Sequence, residues 1–476
     1  MTWIELVLVV VKFLFTMVII LQILPLLIWA ERKGAAYIQD RPGPNRASLW
    51  VPHPRDVPKL FGAWRNGTLH TFEWTPIVEI RAAGFLHTIV DVFKLITKED
   101  VVPDHVEKAL WAAAPVLAMT ISLVTLMVVP WGDYLQIGDQ RILLQVSQID
   151  GGVLYVLAMT SLAVYAIMIA GWASNNKFSL LGGLRSSAQM VSYELAMGLS
   201  VACMFLFYGT TRLDRIVELQ NGSAHLAGLD LHVLPAWGVV SIPGFIAFVL
   251  FWVSAMAECN RTPFDLPEGE AELVAGYHTE YSSLRFALFF MAEYANMIVA
   301  SAVTATLFFG GYALPFVTGE MLRAHAPLVL QVVGAGGFVF FLACAVVAFN
   351  RKDSTFNTSI RVANPNDPRL NEWKVFVVVW ILVALLHAGF FAFGTIGGQW
   401  LQPGMIGPEI VTFITHMNVF AVKVLIGSWI FIWARWTLPR FRYDQLMNLG
   451  WKYMLPVAAL NVLVAGAWIA VTSGAP

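Results

Sequence analysis

The chain alternates long apolar segments with shorter polar ones. Ten apolar segments, most of them about 18–27 residues long, approach or exceed the roughly 20 residues that a helix needs to cross a bilayer. They are Ile4–Ala30, Ala109–Val129, Val153–Gly171, Ala188–Tyr208, Val239–Met256, Leu284–Phe309, Val329–Phe349, Phe376–Phe393, Val419–Trp433 and Met454–Val471. This pattern predicts an all-α polytopic membrane protein with about ten transmembrane helices and a polar loop between the third and fourth.

Residues 85–98 have a different pattern, in which apolar side chains recur at helical spacing on one face. The apolar positions are Phe85, Ile89, Val92, Phe93 and Ile96. Asp91, Lys94 and Lys98 lie outside that stripe. A short helix with one apolar and one charged face is typical of a helix lying in the membrane interface, so we predict an interfacial helix here.

Composition agrees with a membrane protein, because 58% of the residues are hydrophobic and only 13% are charged. A soluble domain carries about 25% charged residues. The net charge of −1 gives no indication of nucleic-acid binding. The cysteines Cys203, Cys259 and Cys344 are far apart and show no metal-ligand spacing, so we expect no metal in this chain.

The placement of Lys and Arg predicts the orientation of the chain. Of the 30 Lys and Arg residues, 24 lie in segments that the ten helices would place on one side. The exceptions are Lys12, Arg141, Arg212, Arg215, Arg323 and Lys423. Because cytoplasmic loops are enriched in these residues, we expect that side to be cytoplasmic and both termini to be periplasmic.

Residues 257–283 form an unusually acidic connection between two apolar segments. Its acids are Glu258, Asp265, Glu268, Glu270, Glu272 and Glu280, against the cation Arg261. Apolar residues such as Phe264 interleave with these acids, which favours partial burial. Pro267 can begin a helix whose dipole favours the acids after it. We therefore predict an acidic, partly buried cytoplasmic loop.

Ionisable residues within the predicted helices are candidates for function, because a charge in the membrane is costly. These candidates include Glu194, Glu293 and Lys423. With Asp91 and the acids of the loop, Glu194 and Glu293 are expected to form a hydrated proton relay. The alternative is that these groups neutralise one another structurally, as in the local pairs Glu31–Arg32 and Glu258–Arg261. The residues alone leave both interpretations open.

Several runs resemble the family of the H membrane subunit of NADH–quinone oxidoreductase, respiratory complex I. They are NRTPFDLPEGEAE in the acidic loop, ERKGAAYIQDRPGPNR at Glu31–Arg46, GFLHTIVDVFKLITKED from Gly84, and RWTLPRFRYDQLMNLGWK from Arg435. The resemblance implies a quinone-binding subunit of a proton-translocating enzyme complex, with no redox centre of its own. It favours the relay, and it implies that the quinone chamber and its loops involve Glu31, Arg32, Arg41, Arg261, Phe264 and Asp265.

The same resemblance implies the substrate and the surroundings. The substrate would be a quinone, either ubiquinone or menaquinone, bound non-covalently. The partners would be peripheral iron–sulfur and quinone-site subunits and antiporter-like membrane subunits. We expect the inner membrane of a bacterium, with the mitochondrial inner membrane as the alternative.

The chain also departs from the family pattern. Residues 48–83 are polar and irregular and are predicted to be a cytoplasmic insertion. Residues 320–415 are predicted to be a second insertion carrying two extra helices, Val329–Phe349 and Phe376–Phe393. Two alternatives to the main hypothesis remain. One is the equivalent subunit of a hydrogenase-like or F420-type complex, and the other is an independent cation/proton antiporter, which would have inverted repeats.

Overall fold

The computed structural model of the chain describes residues 3–39, 41, 43–44, 47–52, 76–80, 82–138, 140–226, 229–266, 273–353, 368–398, 400–402 and 404–472. This part of the chain is built mainly from α-helices. They are α1 (Trp3–Ile38), α2 (Leu86–Thr97), α3 (Lys108–Thr125), α4 (Gly152–Ala173), α5 (Lys177–Tyr208), α6 (Leu213–Leu219), α7 (Ile242–Glu258), α8 (Ser283–Phe308), α9 (Gly319–Ala324), α10 (Ala326–Asn350), α11 (Glu372–Ile396), α12 (Ile406–Thr437), α13 (Tyr443–Asn448) and α14 (Leu455–Thr472).

Three small antiparallel sheets of two strands accompany the helices in the described ranges. Their strands are β1 (Leu49–Pro52) with β2 (Pro76–Ile80), β3 (Tyr134–Ile137) with β4 (Gln140–Leu143), and β5 (Ser223–Leu226) with β6 (Leu229–Pro235). The first sheet pairs Leu49 with Ile80 near the two ends of the predicted insertion 48–83. The prediction that this segment is irregular is therefore wrong at both ends, whereas its status as an insertion stays a prediction.

Nine helices in the described residues are at least 18 residues long and apolar enough to cross a membrane. The apolar helix α7, with 17 residues, falls just short of that length and corresponds to the predicted segment Val239–Met256. The prediction of an all-α polytopic membrane protein is thus confirmed. A helix also forms where the interfacial helix is expected, as α2, and its place in the membrane interface stays a prediction.

The fourth predicted helix begins much earlier than its hydrophobic pattern indicates. Residues 177–187 were expected to be a loop, but α5 already begins at Lys177. Asn176 caps this start by accepting a hydrogen bond from the Phe178 amide at 2.9 Å. Gly182 keeps that early turn narrow, because an added Cβ would lie 2.7 Å from the backbone nitrogen of Tyr277. Tertiary contact with a distant loop therefore stabilises a glycine-containing helix start.

The chain forms two compact units. The first unit comprises Met1–Leu24, Lys98–Val332 and Ala392–Pro476, and the second comprises Pro25–Thr97 and Val333–Phe391. In the first unit α8 lies at the centre, packed against α3, α7 and α12, while α5 packs against α4, α7 and α14. An 18-residue stretch of α8 is 67% buried. Ionisable groups on these helices therefore lie inside a helical bundle.

Close packing of α4 against α5 depends on glycine. A Cβ added to Gly171 would lie 2.6 Å from the backbone oxygen of Ser179 and 3.2 Å from the Cα of Gly183. Real Cβ atoms do not approach backbone that closely, so the two helices would have to separate. Small residues at a crossing are a common way for membrane helices to gain packing contacts.

We expect Gly171→Ala to destabilise the chain by about 1–3 kcal/mol, the usual cost of overpacking. The measurement is the denaturation midpoint of the purified protein in detergent. The matched control is Gly198→Ala on α5, because a Cβ there meets nothing within 4 Å. Equal midpoints for the two variants would contradict the proposed role of the crossing.

Candidate functional site

The acidic loop begins with a tightly held turn after α7. The Gln189 side chain on α5 donates hydrogen bonds to the backbone oxygens of Ala257 at 2.7 Å and Phe264 at 2.9 Å. Asn260, within this turn, has a positive φ of 49° and is buried. One buried amide on a transmembrane helix therefore fixes both ends of the turn and satisfies two of its carbonyl groups.

Arg261 points from this turn into the bundle and is only 2% exposed. Its Nε lies 3.5 Å from a carboxylate oxygen of Glu293 on α8, and its guanidinium lies 4.1 Å from the ring centre of Tyr294. A buried cation needs a counter-ion, and Glu293 supplies it. The sequence-based pairing of Arg261 with Glu258 is wrong: Arg261 instead pairs with an acid 32 positions further along the chain.

Glu293 is shared between two groups from the acidic loop. Besides Arg261, it accepts a hydrogen bond from the hydroxyl of Tyr277 at 3.2 Å. Tyr277 lies in a short 3-10 helix, Gly276–His278, and is 2% exposed. A cation and a hydroxyl from the loop therefore converge on one carboxylate within α8.

Glu258 and Glu194 form a second group near the same turn. Glu258 hydrogen-bonds with Thr160 of α4, and the two carboxyl groups are near enough to interact electrostatically. The hydroxyl of Ser161, adjacent to Thr160, donates a hydrogen bond to Glu194. Two neighbouring hydroxyls on one turn of α4 therefore serve two acids from two other helices.

A small cavity of about 30 Å³ adjoins Glu258. Its polar lining comes from Thr160, Glu258 and Asn296, with Cys259 beside them, and the remaining wall is apolar. A water needs about 10–15 Å³ of such space and at least two polar partners. The cavity therefore has room and partners for about two waters next to the Glu258 carboxyl.

Asp265 and Phe264 connect the turn to the segment after α12. Arg440 donates a hydrogen bond to the Asp265 carboxylate at 2.7 Å, and the Phe441 amide donates to the Pro263 oxygen at 3.1 Å. The Phe264 ring lies 5.4 Å from that of Tyr193. The role of Arg440 was left open by the sequence, and the structure makes it the partner of Asp265.

Three further acids of the predicted relay, Glu268, Glu270 and Glu272, lie outside the described residues, as does Pro267. Glu280 is described and is half-buried. It accepts a hydrogen bond from the Asn176 side chain at 2.6 Å and lies 3.9 Å from Nε2 of His105. Glu280 therefore contacts the start of α5, and the structure does not place it with the Glu258 group.

The remaining predicted site residues belong to the second unit. Arg32 on α1 forms an ion pair with Asp91 on α2, and Glu31 is 5% exposed. The expected local pair of Glu31 with Arg32 is replaced, for Arg32, by this contact between helices. Arg41 is exposed and donates to the Gln39 side chain at 2.6 Å.

His87 on α2 shows consistent geometry and electrostatics. Burial, with smaller contributions from Arg32 and Lys33, lowers the pKa of its imidazole, although Asp91 opposes this. The neutral ring can therefore accept a hydrogen bond, and Nε2 accepts one from the Ala47 amide at 3.0 Å. This contact fixes the segment before the first strand against α2.

Lys423 was a candidate for ion transfer, and its contacts indicate a structural role. Its ammonium donates to the backbone oxygens of Phe309 and Gly311 at 2.8 Å and of Ala313 at 2.9 Å. These three carbonyl groups follow the end of α8, where a helix leaves its oxygens unpaired. Lys423 therefore anchors the segment after α8 to α12.

Sequence reasoning missed several polar residues of the site. They are Thr160, Ser161, Gln189, Tyr277 and Arg440. An adjacent Thr and Ser in an otherwise apolar helix was the available signal for the first two, since hydroxyls often bridge helices in membranes. Within the described ranges, no group of three or more His, Cys, Asp or Glu residues is placed to hold a metal ion.

Comparison with known proteins gives a consistent result. The profile of the family described as NADH dehydrogenase matches residues 73–362 and 370–466. The first H-type subunit of NADH-quinone oxidoreductase from Solibacter usitatus is 40% identical, over 94% of this chain and 92% of the relative. The protein of the same name from Cytophaga hutchinsonii is 35% identical over 93% and 90%. NADH-quinone oxidoreductase subunit 8 of Rhodothermus marinus is 36% identical over 94% and 93%.

Proposed function

The chain belongs to the NADH dehydrogenase family, as an H-type membrane subunit of NADH-quinone oxidoreductase, and from this premise we propose that it houses quinone and carries a proton relay. It is a multi-pass membrane subunit of a multi-subunit enzyme complex. Electrons from NADH would reach the quinone through cofactors of other subunits. This chain would supply the membrane part of the quinone site and the coupling to proton movement.

The observation that carries the relay proposal is the convergence of acids behind the turn 257–266. Glu258 and Glu194 interact with each other next to a cavity with room for water, and Glu293 lies on the same bundle bound to Arg261 and Tyr277. Carboxyl groups that interact strongly titrate as a unit. A change of charge nearby would therefore move protons among them, which is the property a coupling relay needs.

The quinone proposal rests on α2 and the end of α1. The apolar side chains Val90, Phe93 and Ile96 of α2 are 50–65% exposed, as expected for a helix that meets lipid. Arg32 and Asp91 link this helix to α1. An isoprenoid tail could enter along such an apolar face, and polar contacts to the headgroup would come mainly from adjoining peripheral subunits.

Orientation follows from the charge distribution. Most Lys and Arg residues lie on the side of the acidic loop, and this side would face the bacterial cytoplasm. Peripheral iron–sulfur and quinone-site subunits would bind there, and antiporter-like membrane subunits would receive the proton signal within the bilayer. Both termini would then be periplasmic.

The test is to tag the chain in its native membrane, extract it in mild detergent and identify the proteins that co-purify. We expect flavin- and iron–sulfur-containing subunits, together with NADH–quinone reduction that quinone-site inhibitors block. Co-purification with a hydrogenase module and no NADH oxidation would instead support a hydrogenase-like complex. A chain that purifies alone and moves cations in liposomes would support the antiporter and contradict the proposal.

A further inference from the structure

One face of α1 is held by three consecutive contacts within the second unit. Trp29, Lys33 and Tyr37 are spaced four residues apart, so they lie on one face of the helix. The Trp29 ring lies 6.3 Å from that of Phe376. The Arg351 guanidinium lies 4.7 Å from the centre of the Tyr37 ring.

Lys33 provides the middle contact, which is an ion pair. Its ammonium donates to both carboxylate oxygens of Glu372, at 2.8 and 3.0 Å. Lys33 is 3% exposed, and the side chain of Glu372 is 15% exposed. A buried ammonium is costly without a counter-ion, so this contact depends on Glu372.

The partners of these three residues come from one pair of helices. Arg351 directly follows α10, Glu372 begins α11, and Phe376 lies one turn further along α11. Helices α10 and α11 are held together, for example by the stacked rings of Phe341 and Trp380 at 5.6 Å. The two helices predicted to be extra relative to the family therefore pack against three turns of the first helix.

Lys33 also lies where the segment after α1 meets the start of α2. A Cβ added to Gly43 would lie 3.4 Å from Cδ of Lys33, and one added to Gly84 would lie 3.4 Å from its Cε. Both glycines have positive φ, which other residues rarely adopt. The aliphatic part of Lys33 therefore packs between two backbone turns while its charge is bound by Glu372.

The neighbouring residues of α1 hold α2 directly. Trp29 donates a hydrogen bond from Nε1 to the Ala83 oxygen at 3.1 Å, just before α2, and Arg32 pairs with Asp91 on α2. The same two turns of α1 that receive α11 thus also position α2. A shift at Lys33 would be transmitted to α2 through these contacts.

We infer that Glu372 is a positioning residue for quinone access: through Lys33 it sets the arrangement of α1 and α2, and the α10–α11 pair acts as a fixed support for that wall. The inference rests on the proposed function, because it assigns α1 and α2 to the path of the quinone. Glu372 has no role in electron or proton transfer in this scheme.

The test uses the intact complex carrying Glu372→Gln, with KM and kcat measured for quinone. Reduction of a water-soluble artificial electron acceptor by NADH reports the amount of assembled complex. We expect KM for quinone to rise about tenfold, which corresponds to about 1.4 kcal/mol. We expect kcat to change by less than about twofold and the artificial-acceptor rate to stay at the wild-type level.

A charge-swapped variant and a surface control make the test specific. Lys33→Glu combined with Glu372→Lys restores the ion pair and should return KM to within about threefold of wild type. Lys374→Gln, on the exposed side of α11, should leave KM unchanged.

Three outcomes would overturn the inference while wild-type quinone reduction is intact. They are a wild-type KM for Glu372→Gln, a charge-swapped variant as impaired as the single one, and a parallel loss of artificial-acceptor activity. Absence of inhibitor-sensitive quinone reduction in the wild-type complex would instead contradict the proposed function itself, and the inference with it.

Discussion

Arg261→Met is expected to abolish inhibitor-sensitive quinone reduction and to destabilise the chain by about 3–5 kcal/mol. Arg261 is 2% exposed and pairs with Glu293 at 3.5 Å, so its removal leaves a carboxylate without its cation inside the bundle. The turn 257–266 would also lose its contact with α8. The measurements are denaturation of the purified complex and its quinone-reductase rate.

A double variant separates the two effects. Arg261→Met with Glu293→Gln removes both charges, so we expect most of the stability to return, while activity stays low if Glu293 belongs to the relay. Arg215→Gln is a matched control, because the Arg215 side chain is 61% exposed. Wild-type stability for the single Arg261 variant would show that this ion pair is not the contact that holds the turn.

Glu258→Gln is the second substitution for which we expect a large effect. Glutamine keeps the size of the side chain and can still hydrogen-bond to Thr160, but it cannot take up or release a proton. Removing a positioned proton-transfer group typically costs 10²–10⁴-fold in rate, so we expect proton translocation to fall by about 10²-fold or more. The measurement is acidification of proteoliposomes containing the complex during NADH oxidation.

Assembly and a control substitution decide how this result is interpreted. Glu258→Gln should assemble normally, since the residue is half-buried beside a cavity that can admit water. Glu218→Gln is the control, because Glu218 lies on α6 and pairs with Arg215 with 49% of its side chain exposed. Full proton translocation by Glu258→Gln would remove this residue from the relay.

Helix ends were predicted less well than helices. α5 begins at Lys177 although the apolar pattern starts at Ala188, and α12 extends from Ile406 to Thr437 although the predicted segment was Val419–Trp433. Hydrophobicity marks the part of a helix that meets lipid. It carries no information on polar turns that are stabilised by packing against a loop or by a cap such as Asn176.

Ion pairs were predicted least well. Proximity in sequence suggested Glu31 with Arg32 and Glu258 with Arg261, whereas Arg32 pairs with Asp91 and Arg261 with Glu293. Lys33 with Glu372 joins residues 339 positions apart. Counter-ions for buried charges are chosen by which helices meet, and one chain read alone does not contain that choice.

By itself, the sequence determined that this is a helical membrane protein, the family to which it belongs and the acidic stretch at the centre of its candidate site. These follow from hydropathy and from contiguous runs, which are local properties of the chain. Only the tertiary structure decided that Glu194 and Glu258 interact beside a cavity and that Glu293 binds both Arg261 and Tyr277. The physical reason is that a buried charge is stabilised by whichever groups surround it, and packing brings those groups from distant helices.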